Sequence, residues 1–72
     1  MLQRKLGKRI ADLRRAKKLT QEQLAEALGC SVQFISLVER GVNAPSVAGL
    51  EKFSKVLKVE AKELFTFEEK KR

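Results

Sequence analysis

The twenty residues Gln21 to Arg40, QEQLAEALGCSVQFISLVER, decide how this chain folds. Thr20 stands just before them as a helix N-cap, and Gln23, three residues on, completes a capping box. Leu24, Ala25 and Leu28 fall on one helical face. Gly29 ends that helix, because glycine takes the left-handed C-cap conformation at little steric cost. Cys30 follows, and Ser31 caps a second helix whose inward positions are Ile35 and Val38 and which stops at Gly41. The outcome is two short helices joined by a tight turn. With Gln21 counted as the first residue, Ala25 is fifth, Gly29 ninth, Ile35 fifteenth and Val38 eighteenth. A small side chain at the fifth position lets the helices cross steeply, the ninth turns with positive φ, and the last two pack back on the first helix. A generic αα-hairpin shares one or two of these features by chance, so the full set points to a helix-turn-helix unit.

Ahead of this unit, Leu2, Leu6, Ile10 and Leu13 recur at helical spacing and predict a first helix over about residues 2–17, which Gly7 weakens by up to roughly 1 kcal/mol relative to alanine. On the other side, Asn43 and Pro45 make 42–45 a loop, and Ser46 caps a fourth helix with Leu50, Phe53 and either Val56 or Leu57 inward. A fifth short helix follows Glu60, with Ala61 and Leu64 inside and Phe65 alongside. No segment alternates convincingly at the period of a strand. The expected fold is all-α, a five-helix bundle over residues 1–67, with 68–72 a charged tail that frays.

Composition narrows the function. Seventy-two residues hold one small core and no second domain. A single cysteine closes no internal disulfide, and without histidine the usual zinc constellations and the commonest general base are both missing. Cys30 therefore reads as a half-buried, reduced turn residue. No nucleophile-elbow, Walker or zinc-protease string occurs, so no metal, cofactor or catalytic role is expected. No apolar run approaches the roughly 18 residues of a membrane span, and the basic N-terminus lacks the apolar core of a signal peptide. A soluble, cytoplasmic protein without a small-molecule ligand is the expectation.

The net charge of +7 is concentrated. Residues 1–18 carry eight basic side chains against Asp12 alone, whereas 19–72 carry eight of each sign. Such a basic terminal element suits a phosphate backbone; the plainer reading is a solvated face.

The strings Leu19-Thr20-Gln21-Glu22-Gln23-Leu24-Ala25 and Ile35-Ser36-Leu37-Val38-Glu39-Arg40-Gly41, followed by Asn43-Ala44-Pro45-Ser46, resemble the XRE family of helix-turn-helix regulators, which includes the lambdoid phage repressors and Cro proteins. The similarity runs from about Leu6 to Phe65, and the short chain also resembles the controller proteins of restriction-modification systems. The resemblance implies a DNA-binding domain of the lambda repressor type whose third helix, about 32–40, enters the major groove. It places Val32, Gln33, Phe34, Ser36 and Leu37 toward base edges. Gln33 suits adenine N6 and N7, Val32 a thymine methyl, and Ser36 a base or a phosphate. Two readings stand for Leu37, base contact or core flank, and two for Phe34, contact with thymine methyl or sugar and partial burial against Arg40. Thr20, Gln21, Ser31, Arg40 and Asn43, with the backbone of the Gly41 to Asn43 loop, are implied phosphate contacts. Arg14 is implied both to touch phosphate and to pair with Glu39, an acid otherwise out of place beside DNA. Lys58 stands where the family commonly has glycine after the fourth helix, which predicts a strained or altered turn there.

Double-stranded DNA is the expected partner, bound by a homodimer on a palindromic operator. Val59, Phe65 and Phe67, apolar residues near a charged surface, are the candidate dimer interface. Two other readings belong to different classes: an antitoxin or protein-interaction module on the same fold, and a membrane-surface helix at 2–17.

Overall fold

Helix α1 spans Leu2–Ala16, α2 Gln21–Leu28, α3 Val32–Glu39 and α4 Val47–Leu57 in the computed structural model, which describes residues 1–67. The expected fifth helix is a 3-10 turn, η1, at Ala61–Phe65. The turn closes through i→i+3 bonds such as Glu63 N–H to Glu60 O at 2.8 Å. No strand occurs among the described residues.

Local signals set the helix ends. Thr20, Ser31 and Ser46 each accept a hydrogen bond from the backbone N–H three residues on, at 3.0 Å. Gly29 takes φ +74° at the end of α2. Lys58 ends α4 in the same left-handed region, at φ 59°, where the family commonly has glycine, and Lys18 follows α1 at φ 61°. Both lysines carry the steric cost that a Cβ meets there.

The core is built by Leu6, Ile10 and Leu13 of α1, Leu24 and Ala25 of α2, Ile35 and Val38 of α3, Phe53 and Leu57 of α4, and Leu64 of η1. Leu57 rather than Val56 is the fully enclosed residue at the end of α4, and Leu50 is half-buried. Two inward expectations fail at the rims. Leu2, one turn above Leu6, lies beyond the end of the core and is 60% exposed. Ala61 opens η1 one turn away from Leu64 and stays exposed.

Gly7 is buried and has a different role from the weak helix residue its type predicts. A Cβ built there would collide with the carbonyl oxygen of Val38 and lie 2.9 Å from that of Glu39. The glycine lets α1 cross directly on the backbone at the C-terminal end of α3.

Candidate nucleic-acid interface

Because Ile35 and Val38 are turned inward, the opposite face of α3 is left to solvent. Gln33 in the first turn of α3 and Arg40 at its C-cap, two helical turns apart, fall on this face and are both exposed. Val32, 39% exposed, stands beside them, and Ser36 and Leu37 are half-buried at the margins. Phe34 is directed elsewhere. It packs on the core and, with Leu28, Cys30 and Phe53, lines an open groove of about 210 Å³ between α2, α3 and α4. This face therefore gathers Val32, Gln33, Ser36, Leu37 and Arg40, and leaves Phe34 out.

The N-terminus of α2 adjoins it. Thr20 Oγ1 accepts from Gln23 N–H at 3.0 Å while Thr20 N–H donates to Gln23 Oε1 at 2.9 Å, so the cap is complete. The N–H groups of Gln21 and Glu22 find no acceptor among the described residues. Free N–H groups at a helix start, with the helix dipole behind them, favour an anion. Ser31 is exposed at the start of α3.

Glu39 is neutralised by Arg14. Arg14 Nε donates to Glu39 Oε2 at 2.7 Å and Nη2 to Oε1 at 3.2 Å, while Nη1 donates to the carbonyl of Leu19 at 2.8 Å. The two side chains are only 10% and 6% exposed. Three of the five guanidinium N–H groups are thus engaged inside the fold, and Arg14 does not present a charge at the surface where a phosphate contact needs one. Gln21 joins this pair, its Nε2 donating to Glu39 Oε1 at 2.9 Å. That contact, which links the start of α2 to the end of α3, has no local signature, since the partners lie 18 residues apart.

The loop after α3 also differs from expectation. Gly41 N–H donates to Val38 O at 3.0 Å, and the N–H groups of Val42 and Asn43 both donate to Leu37 O, at 2.9 and 3.2 Å. These three groups close the end of α3, so the backbone of this loop is not free to meet phosphate. Asn43 and Arg40 keep exposed side chains.

The basic residues of α1 divide by helical face. Lys5 Nζ lies 5.9 Å from the centre of the Phe67 ring, and Arg9 Nε donates to Glu63 O at 2.8 Å. Lys8 and Arg15 flank Asp12 at 3.2 and 3.6 Å. α1 is therefore not a uniformly free cationic rod. Leu6, Ile10 and Leu13 of its apolar stripe are buried in the core, and no helix among the described residues is long and apolar enough to cross a membrane. Phe65, 41% exposed, meets Phe67 edge-to-face with ring centres 6.4 Å apart, and Val59 is half-buried against the core. Burial pushes the free Cys30 thiol above its ordinary pKa. No group of three metal-ligating side chains forms among the described residues. The tail at 68–72 lies outside them.

The sequence profile of the helix-turn-helix family matches residues 10–64. The chain belongs to the XRE-type helix-turn-helix family. Among similar proteins of the family, the HTH-type transcriptional regulator YazB of Bacillus subtilis is 43% identical over 58 residues, 81% of this chain and 84% of its own. The restriction-modification controller protein C.AhdI of Aeromonas hydrophila superposes with a TM-score of 0.83 at 39% identity, covering 86% of this chain and 94% of that one. SinR of Bacillus subtilis, a master regulator for biofilm formation solved in complex with DNA, superposes at 0.78 with 35% identity, over 85% and 98% of the two chains. Within this XRE-type domain, sequence reasoning missed Gln3, Gly7 and the link from Gln21 to Glu39. A glycine at an inward helix position was the one available signal, and it pointed to close backbone approach at position 7.

Proposed function

We propose that this protein is a cytoplasmic, sequence-specific DNA-binding transcriptional regulator that inserts α3 into the major groove and acts as a homodimer on a palindromic operator. The observation that carries the reading is the exposed face of α3, where Gln33, Ser36 and Arg40 stand with Val32 beside the free N–H groups that open α2. That set combines amide and hydroxyl groups for base edges, a methyl-bearing side chain for thymine and an anion site for phosphate. SinR, similar over 85% of this chain, is solved in complex with DNA, which supports DNA binding by this domain. Thr20, Gln21, Ser31, Arg40 and Asn43 are the proposed phosphate contacts.

The edge-to-face pair of Phe65 and Phe67, Phe65 being 41% exposed, supports self-association through this end of the molecule, with Val59 as the third proposed interface residue. A two-fold pairing there sets two α3 helices on two half-sites. Selection from a random duplex library tests the main reading. Enrichment of a two-fold symmetric site is expected, and Gln33→Ala should cost about 1 to 3 kcal/mol on it and relax one base position. Absence of any enriched sequence overturns the reading in favour of a protein-interaction module. Sedimentation equilibrium of Phe67→Ser tests the dimer: weaker self-association supports it, and a monomeric wild type at high micromolar concentration refutes a preformed dimer.

A further inference from the structure

We infer that Arg4 is a phosphate-binding side chain, carried to the end of the α3 face by the first turn of α1; the inference rests on the DNA-binding reading above. The argument begins with the loop after α3, whose N–H groups at Gly41, Val42 and Asn43 are all spent on carbonyls of α3. An anion at this end of the interface must therefore be met by side chains. α1 supplies one. Gln3 Nε2 donates to Gly41 O at 2.7 Å and pins the first turn of α1 to the loop. Arg4 lies directly over Gly41: a Cβ placed on that glycine would sit 2.6 Å from Arg4 Cγ and 2.9 Å from Arg4 Cα. Gly41, at φ +79°, thus both makes the turn and leaves space for the arginine stem.

The charge on Arg4 is uncommitted. Its side chain is exposed and makes no ion pair or hydrogen bond among the described residues, whereas Lys5, Lys8, Arg9, Arg14 and Arg15 all have partners there. A stem packed against Gly41, the residue that follows Arg40 in the chain, and a guanidinium without a partner among the described residues are what a backbone clamp needs. The fork of an arginine suits phosphate oxygens, and a stem already ordered by packing loses less freedom on binding.

The test is the salt dependence of binding to the selected duplex and to an unrelated duplex, by fluorescence anisotropy, for wild type, Arg4→Met, Arg4→Lys and Lys8→Met. Methionine keeps the apolar stem over Gly41 and removes the charge. Arg4→Met is expected to lower the log-log salt slope by about 0.9 on both duplexes, so that from about 50 to about 200 mM salt it loses roughly 3.5-fold less affinity than wild type. Its consensus site should be unchanged, Arg4→Lys should restore the slope, and Lys8→Met should keep it. A wild-type slope for Arg4→Met overturns the inference while leaving the DNA-binding reading intact. A lower melting temperature at unchanged slope also overturns it, assigning the charge to the dipole of α3. If wild type binds the selected duplex no better than the unrelated one, the underlying reading fails with it.

Discussion

Replacing Gly7 by alanine sets two physical effects against each other. Helix propensity favours alanine over glycine inside a helix by about 0.8 to 1.0 kcal/mol, so a reading of α1 alone expects stabilisation. The crossing with α3 reverses the sign. The new Cβ would overlap the Val38 carbonyl oxygen and sit 2.9 Å from the Glu39 oxygen and 3.1 Å from the Glu39 carbonyl carbon. Carbon–oxygen contacts normally begin at about 3.3 Å, and these are backbone atoms, which cannot rotate away. α1 must therefore move outward, loosening the packing of Leu6 and Ile10 on Ile35 and Val38. Overpacking of this kind costs about 1 to 3 kcal/mol, and rigid neighbours put the site at the upper end. Subtracting the propensity gain leaves a net destabilisation of about 1 to 2 kcal/mol, a fall in melting temperature of roughly 4 to 16 °C for a domain this small. Thermal melting followed by circular dichroism at the helix band measures it. A Gly7→Ala protein as stable as wild type, or more stable, refutes the close crossing.

Three further outcomes follow from the geometry. Lys58→Gly should raise stability by about 0.5 to 1 kcal/mol, because relief of the left-handed strain exceeds the entropy that glycine adds to the unfolded chain; a lower urea midpoint at constant m value refutes this. Arg14→Met and Glu39→Gln should each cost about 3 to 5 kcal/mol, with the double mutant costing much less than their sum, and a coupling energy of zero in the cycle of thermal melts refutes the buried pair. The Cys30 thiol, its pKa raised by burial, should be alkylated more slowly near neutral pH in the folded protein than in urea. Because the folded state holds that proton more tightly, its contribution to stability is complete below the ordinary thiol value of 9.0 and is lost as pH rises through the folded value; equal labelling rates refute the shift.

What the sequence makes legible is local. The Thr20–Gln23 capping box, the serine caps at 31 and 46 and the glycine turn at 29 are interactions between residues three or four apart, and each appears where spacing predicts it. Period alone found most of the core, and it failed at Leu2 and Ala61 because periodicity does not say where the neighbouring element ends. The pair of Arg14 and Glu39, separated by 25 residues, came from family resemblance rather than from spacing. Gln3 and the amide of Gln21 were illegible, and Gly7 left only the signal of its type, for a shared reason. Each acts across a helix crossing, and the path of one backbone over another is set by the whole core.

Those crossings explain why α1 is more than a basic flank. α2 and α3 have eight residues each, below the length at which isolated helices hold together in water, so the α2–α3 unit needs an outside support. α1 supplies it at three levels: Gln3 on the loop carbonyl, Gly7 on the last turn of α3, and Arg14 on both Glu39 and the Leu19 carbonyl that leads into α2. The same helix uses most of its charge for structure, through Lys5, Lys8, Arg9, Arg14 and Arg15. Within residues 1–18 the exposed cations without a partner among the described residues lie at the two ends of this helix, Arg4 beside the end of α3, and Lys17 and Lys18 beside the start of α2. At 1.5 Å per residue those ends stand about 20 Å apart, wider than the roughly 12 Å major groove. On the proposed reading, α1 bridges the groove from behind, holds α3 at a fixed angle and offers charge to the phosphates at either edge, so affinity and aim come from one rigid element.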